Sequence, residues 1–136
     1  SRVSDIGAQR HRARERALEL AYEATQKGRP PHEVVAALPL PPDAYTVALL
    51  DAFEQHHAVA RTLIERYALG WQYERMPLID RLIMLLALSE SSMTGSPPRA
   101  VILDEAVELA KTYSTDASSG FINGVLVACL DDDDKG

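Results

Sequence analysis

Residues 78–88 read LIDRLIMLLAL, and this stretch decides how the chain folds. Nine of its eleven residues are apolar, so a helix formed here is apolar on nearly every side. Such a helix has to lie at the centre of the protein, with other elements packed around it. Its two charged residues, Asp80 and Arg81, lie near its N-terminal end, where the helix dipole favours a carboxylate. The sequence therefore predicts a buried central helix.

The residues before this stretch predict two long helices. Apolar residues at spacings of three and four predict a helix over about residues 8–27, ended by Gly28. Asp43 is placed to cap a second helix that ends at Gly70, and a proline-rich segment between the two allows a short helix at best. The stripe expected to face the core from the second helix consists of Tyr45, Ala48, Leu49, Ala52, His56, Val59, Ala60, Leu63 and Tyr67.

The residues after the central stretch predict two more helices. Gly95 and the prolines that follow it end the central helix, and helical spacing continues over residues 98–113. A last helix is expected from about residue 118 to residue 130, with Phe121 among its inward-facing residues. No segment alternates apolar and polar residues with period two, so strands are not expected. The predicted fold class is all-α, with about six to seven helices.

Composition and charge restrict the possible classes of protein. The chain has 136 residues, of which 46% are hydrophobic, and this composition excludes a disordered chain. No apolar run approaches the roughly 18 residues of a membrane span, so no membrane association is expected. One cysteine, Cys129, excludes an internal disulfide and a cysteine-based zinc site. It fits a reducing compartment, and a cytoplasmic location is expected.

The first 16 residues and the rest of the chain differ sharply in charge. Residues 1–16 contain five arginines and two acids, whereas residues 17–136 have a net charge of −9. A basic end on an acidic body favours a localised anion-binding site, although a solvated basic arm without a partner fits equally well. Residues 131–136 (DDDDKG) are expected to be an expression-tag remnant, with a natural acidic tail as the alternative. Residues 1–7 are expected to form an N-terminal arm that is partly vector-derived.

No catalytic signature is present in the sequence. It contains no phosphate-binding glycine loop, no dinucleotide fingerprint and no HExxH motif. His56 and His57 are adjacent on a predicted helix, so they point about 100° apart and chelate a metal poorly. Cys129 stands among apolar residues and is expected in the core. The chain is not expected to be an enzyme or to hold a cofactor or metal.

Three segments together resemble a known family. The first is residues 9–18, QRHRARERAL, with Tyr22 further on, and the second is residues 76–84, MPLIDRLIM, preceded by Trp71. The third and closest match is residues 98–126, PRAVILDEAVELAKTYSTDASSGFINGVL. Over about residues 8–130 the chain resembles the NusB transcription antitermination factors.

The resemblance has departures that bear on the choice of function. A related module opens certain ribosomal-RNA cytosine methyltransferases, where alanine usually stands in place of Gly124, so Gly124 favours the stand-alone factor. Leu85 and Ser89 stand where the family often has arginine and tyrosine, and Val127 stands where aspartate is common. Two alternatives stay open: a self-associating or protein-binding homologue without RNA binding, and the RNA-binding module of a methyltransferase.

The resemblance implies a fold, partners and a function. It implies a NusB-like helical domain over residues 8–130, divided into bundles at about 8–70 and 71–130 that share a long central region. It also implies binding of boxA-type single-stranded RNA together with the ribosomal protein NusE. The pair then acts with RNA polymerase and other Nus factors in antitermination, chiefly on ribosomal RNA operons.

The resemblance also assigns site residues. RNA contact is expected from the first helix, where Arg12 and Arg16 share one face and Arg10 and Arg14 share a neighbouring face. Guanidinium groups pair with phosphates and stack on unpaired bases, which suits single-stranded RNA. On the last helix the resemblance adds Phe121 and Asn123, with a core role for Phe121 and a helix-linking role for Asn123 as alternatives. It assigns NusE contact to Tyr22 and Asp80; the alternatives are a core tyrosine and a helix-terminal acid without a partner.

Overall fold

The described part of the chain folds into six α-helices and one short 3-10 turn. The structure, a computed structural model, describes the backbone of residues 2–135 and, apart from residues 3 and 133–135, their side chains. The helices are α1 (Arg2–Lys27), α2 (Pro31–Ala36), α3 (Ala44–Tyr67), α4 (Leu78–Ser91), α5 (Arg99–Tyr113) and α6 (Asp116–Lys135), and the 3-10 turn (Tyr73–Arg75) precedes α4. No strand occurs in the described part of the chain, so the all-α prediction is confirmed. None of the described helices is long and apolar enough to cross a membrane.

The helix α4 is the centre of the fold, as its composition predicts. Ten of its 14 residues are buried, and α1, α3, α5 and α6 all pack against it. One continuous cluster of buried side chains runs from Ala17 on α1 to Leu130 on α6. The division into two bundles near residues 70 and 71 stays a prediction.

The predicted cap at the start of α3 and the glycines predicted after α1 and α3 are present in the structure. The Asp43 carboxylate accepts a hydrogen bond of 2.8 Å from the backbone N–H of Tyr45, which caps α3. Gly28 after α1 and Gly70 after α3 both have positive φ, 65° and 80°, a conformation that costs other residues free energy. Cys129 is fully buried in the core, as expected.

The terminal helices are longer than predicted. Residues 2–7, expected to be an arm, form the first turns of α1, and α6 continues past residue 130 to Lys135. Two acidic residues in this extension form ion pairs with the body of the protein. Asp131 lies 2.6 Å from Arg99, and Asp132 lies 3.0 Å from Arg66. Periodicity alone missed this extension, because these residues are not apolar.

The buried face of α3 is rotated relative to the predicted stripe. Val59 was expected in the core but is 65% exposed, so that prediction is wrong. The core instead takes Thr46, Leu50 and Ile64 from the neighbouring side of the helix. Tyr45 and Tyr67 remain half-buried at the edge of the face that packs on α4. The apolar stripe of α3 is wider than the area that the neighbouring helices cover. The sequence of α3 alone therefore does not determine which side of the stripe faces the core.

The N-terminal end of α4 is fastened to the connection between α5 and α6. Asp80 is 3% exposed, and its two carboxylate oxygens accept hydrogen bonds of 2.7 Å from the hydroxyls of Ser114 and Ser118. A buried carboxylate needs such partners, because an unpaired one is costly to remove from water. These two bonds fix where α5 ends and where α6 begins relative to the central helix.

Replacing Asp80 by alanine is therefore expected to lower the free energy of unfolding by about 2–4 kcal/mol, since two hydrogen bonds to a charged acceptor are lost. Urea denaturation monitored by circular dichroism measures this change. The matched control is Glu74→Ala, which removes an exposed acid from the adjacent 3-10 turn and is expected to cost about 0.5 kcal/mol or less. Equal stability of the two variants would contradict the role given to Asp80.

Candidate functional site

The arginines of α1 divide into an inward pair and an outward pair. Arg12 and Arg16 are exposed, whereas Arg14 is buried and Arg10 is half-buried. The predicted sharing of faces is thus present, since residues four apart on a helix lie on one side. Only one of the two pairs faces solvent.

The Arg14 guanidinium is part of a buried ion pair with Glu90 at the end of α4. Its Nε donates to both carboxylate oxygens of Glu90 at 2.9 and 3.1 Å, and its Nη2 donates at 2.8 Å. The hydroxyl of Tyr45 on α3 donates to the same carboxylate. Arg14 and Glu90 are only 6% and 3% exposed. The RNA-contact assignment of Arg14 is corrected accordingly: its side chain is used inside the protein and does not reach the surface.

The charge states of this cluster follow from its surroundings. Burial alone lowers the pKa of Arg14, but the hydrogen bonds and charge of Glu90 outweigh burial and the pKa is raised. Burial, together with the hydrogen bond to Glu90, raises the pKa of Tyr45 to about 12. At neutral pH the guanidinium therefore stays charged and the phenol stays protonated as a donor. The three side chains join α1, α3 and α4.

Further contacts hold the N-terminal half of α1 in place. The Arg10 guanidinium lies 4.0 Å from the centroid of the Tyr45 ring, a cation–π contact. The ring Nδ1 of His11 lies 2.6 Å from a carboxylate oxygen of Glu105 on α5. Arg14 is also 3.6 Å from Glu105. Because α1 is held by α3, α4 and α5, its rotation about its own axis is fixed.

The outward pair is only loosely engaged within the protein. The Arg16 side chain is 45% exposed and lies 3.8 Å from Glu19, a surface pair of the kind that contributes about 0–1 kcal/mol. Among the residues that the structure describes, Arg12 has no ion-pair partner. Both guanidinium groups are therefore available to an external anion.

The two α6 residues predicted for RNA contact lie on a different helix from the arginines. Phe121 is half-buried, and its ring meets the exposed Trp71 ring edge-on with 5.4 Å between centroids. Asn123 is exposed and lines a polar depression together with Lys111 and two acidic residues of α5. The helix α6 packs on α3, α4 and α5, whereas α1 packs on α2, α3 and α4. The predicted RNA residues thus occupy two areas that are linked through α3 and α4.

The two residues predicted to contact a protein partner also differ in exposure. Tyr22 is 39% exposed on α1, so the alternative of a wholly internal core residue does not hold. Asp80 is buried, with both of its oxygens accepting serine hydroxyls. As a correction to its expected role as a surface contact, Asp80 is an internal acceptor that joins α4 to the connection between α5 and α6.

Sequence reasoning missed Tyr45, Glu90 and Glu105. The signal available for Glu90 was a lone acid at the end of an otherwise apolar helix, because a buried charge requires a partner. Nothing in the sequence identifies Arg14, 76 residues away, as that partner. No group of three or more potential metal ligands occurs in the described part of the chain.

The fold is shared with solved structures. The chain is similar to a T. maritima NusB structure, with a TM-score of 0.79 and 24% identity, covering 90% of each chain. It is similar to a chain in the crystal structure of a plectonemic RNA supercoil, with a TM-score of 0.79 and 24% identity, covering 94% of this chain and 98% of that one. The geometry therefore defines the class of protein as an all-helical bundle with the NusB fold.

Sequence comparison defines the family. The profile of the NusB family matches residues 11–131. The transcription antitermination protein NusB of Acidothermus cellulolyticus is 40% identical over 123 residues, covering 88% of this chain and 85% of that protein. The chain belongs to the NusB family of transcription antitermination proteins.

The buried ion pair generates a test of stability. Glu90→Ala leaves the Arg14 charge buried without its partner, so the free energy of unfolding is expected to fall by about 3–5 kcal/mol. The double variant Arg14→Met, Glu90→Leu removes both charges and is expected to lose less, because no charge is left unpaired. Urea denaturation of the two variants makes the comparison. A double variant less stable than Glu90→Ala would show that the unpaired charge is not the cause.

Proposed function

We propose that this protein binds boxA-type single-stranded RNA through the outward arginines of α1. The observation that carries the proposal is the exposure of Arg12 and Arg16 on a helix whose rotation the buried Arg14–Glu90 pair fixes. Guanidinium groups pair with phosphates and stack on unpaired bases, the two features that single-stranded RNA offers. Arg10 lies half-buried over the Tyr45 ring on the neighbouring face of α1, and we propose the exposed part of its side chain as an additional RNA contact.

Several features of the chain support RNA over a small anion. The protein as a whole has a net charge of −6, so a locally basic helix selects where a polyanion approaches. Asn123 and Phe121 on α6 add an amide and an aromatic ring, which are groups that read and stack on unpaired bases. A structural neighbour with this fold comes from a crystal structure of RNA. Arg14 is not part of the proposed surface.

The proposed protein partner is the ribosomal protein NusE, contacted through Tyr22. An exposed tyrosine can bury its ring at an interface while its hydroxyl keeps a hydrogen bond. Because Tyr22 and the outward arginines lie on the same helix, one rigid element can present both partners to each other. The protein would then act as an adaptor that joins RNA and NusE to RNA polymerase and other Nus factors during ribosomal RNA transcription.

The RNA proposal is tested by removing the outward charges. Arg12→Ala with Arg16→Ala is expected to weaken binding to boxA-type RNA by about tenfold or more and to flatten the dependence of affinity on salt, because phosphate contacts are lost. Fluorescence anisotropy of labelled RNA over a salt series measures both quantities.

The matched control removes two positive charges at and just after the C-terminal end of α1. Lys27→Ala with Arg29→Ala changes the net charge equally, and affinity is expected to stay within about threefold of wild type. If the two double variants weaken RNA binding equally, the loss of affinity comes from net charge, and the proposed assignment of the RNA site to α1 is wrong. If the wild type binds no RNA with or without NusE, a homologue that binds only protein is the better reading.

The NusE proposal is tested at Tyr22. Tyr22→Ala is expected to weaken NusE binding by about tenfold or more, because an aromatic side chain is lost from an interface, while affinity for RNA alone stays unchanged. The variant Tyr22→Phe removes only the hydroxyl and therefore separates its contribution to NusE affinity from that of the ring. Calorimetric titration with purified NusE measures the affinities, and full NusE affinity in Tyr22→Ala would contradict the assignment.

A further inference from the structure

A cleft at the C-terminal end of α1 contains none of the residues assigned above to RNA or to NusE. It lies between the connection from α1 to α2, the middle of α3, the 3-10 turn and α4, and its volume is about 500 Å³. This volume is within the roughly 300–1,000 Å³ that is typical of small-molecule sites. The cleft is therefore large enough for a small organic ligand.

Arg81 of α4 brings an uncompensated positive charge to this cleft. Its Nε is buried and has no hydrogen-bond acceptor. None of the ion pairs formed among the described residues includes Arg81. The preceding residue, Asp80, is engaged elsewhere, since its oxygens accept hydrogen bonds from Ser114 and Ser118. Because a cation near the N-terminal end of a helix also opposes the helix dipole, this position favours an added anion.

A second guanidinium group lies close to the first. Arg61 of α3 and Arg81 lie 4.4 and 5.4 Å from the centroid of the buried Tyr73 ring. An aromatic ring attracts cations, but the two cations repel each other. Arg61 forms surface ion pairs with Glu65 and Glu74, and these leave the Arg81 charge unbalanced. A phosphate, whose several oxygens pair well with guanidinium groups, would supply the missing negative charge.

The acid in the cleft is already engaged by another part of the protein. Among the described lining residues, Glu54 of α3 is the one acid. Its carboxylate accepts a hydrogen bond of 2.8 Å from the backbone N–H of His32 and lies 2.9 Å from the ring Nδ1 of the same residue. These contacts join α3 to α2, so Glu54 does not neutralise Arg81.

One wall of the cleft is apolar and aromatic. Leu78, Leu82 and Leu85 lie at spacings of four and three on α4, and they line the cleft together with Phe53 of α3. The exposed His57 ring stacks on Phe53, with 5.5 Å between centroids and 27° between planes. A free phosphate would make no use of this wall, whereas a flat organic group would cover it. The cleft is thus complementary to a ligand that joins a flat ring to a phosphate.

We propose that this cleft binds a nucleoside phosphate, with Arg81 as its principal phosphate-binding residue. The phosphate would neutralise the guanidinium, and the base would lie against the apolar wall of α4 and α3. The proposal does not depend on the proposed RNA function. Thr25, which lines the cleft, is nine residues from Arg16, about 14 Å along the helix axis.

Calorimetric titration of the whole chain with adenosine monophosphate, adenosine and inorganic phosphate tests the proposal. Adenosine monophosphate is expected to bind with a stoichiometry of one. Adenosine and inorganic phosphate are each expected to bind at least about tenfold more weakly, because each lacks one part of the complementary chemistry. In proton–nitrogen NMR spectra, the Nε–H signal of Arg81 is expected to shift on adding adenosine monophosphate, and its loss in Arg81→Met assigns it.

Variants separate recognition from folding and from net charge. Arg81→Met is expected to weaken binding of adenosine monophosphate by about tenfold or more, because the ion pair with the phosphate is lost. The matched control, Arg75→Met, removes the same charge from an exposed residue of the 3-10 turn outside the cleft, and affinity is expected to stay within about twofold of wild type. Without ligand, the urea midpoint of Arg81→Met is expected to match that of wild type, since no ion pair within the protein is lost.

Each contrary outcome overturns the proposal in its own way. Equal affinities for adenosine monophosphate and adenosine would show that the phosphate is not recognised, and equal affinities for adenosine monophosphate and inorganic phosphate would show that the base is not. Equal losses in Arg75→Met and Arg81→Met would assign binding to net charge. A urea midpoint of Arg81→Met well below wild type would show that its charge is compensated within the protein.

Two results separate this proposal from the RNA function. Displacement of labelled boxA-type RNA by adenosine monophosphate would place the nucleotide on the RNA surface of α1 and overturn the separate site. Absence of binding at millimolar adenosine monophosphate, with RNA binding retained, would overturn the nucleotide site and leave the RNA function intact.

Discussion

The ion pair between Arg14 and Glu90 is the interaction on which the rest of the candidate site depends. Taking two charges out of water costs several kcal/mol for each ion, and only good geometry with further hydrogen bonds offsets that cost. Here a guanidinium donates three hydrogen bonds to one carboxylate, and Tyr45 donates a further one. Once Arg14 faces α4, helix geometry directs Arg12 and Arg16 away from the core. The buried ion pair thereby orients the two arginines that are proposed to bind RNA.

The central helix has polar anchors near both of its ends. Asp80 joins its first turn to the connection between α5 and α6, and Glu90 joins its last turn to α1 and α3. Residues 82–88 between them are all apolar, and hydrophobic contacts have no directional preference. The two acids therefore supply the directional bonds that set the rotation and register of the helices around α4.

Periodicity and composition were sufficient for the fold but not for the site. The central helix, the caps and the shared faces of the α1 arginines all follow from local spacing, so they could be predicted. Long-range pairings could not, because nothing local distinguishes the buried Arg14 from the exposed Arg12. The predictions for Asp80 and Val59 were wrong for the same reason, since the burial of each side chain depends on which neighbouring helices pack against it. The exposure of Trp71 was equally invisible, because an aromatic residue before an apolar helix is ordinarily core.

The central claim is that two neighbouring arginines of α1 have different roles, Arg14 in stability and Arg12 in RNA binding. The most direct measurement compares the single variants Arg12→Ala and Arg14→Ala for both unfolding free energy and RNA affinity. The account predicts that Arg14→Ala loses about 3 kcal/mol of stability or more, because Glu90 is left buried and unpaired, whereas Arg12→Ala keeps its stability and loses RNA affinity. Equal stability of the two variants with equal loss of RNA affinity would contradict it.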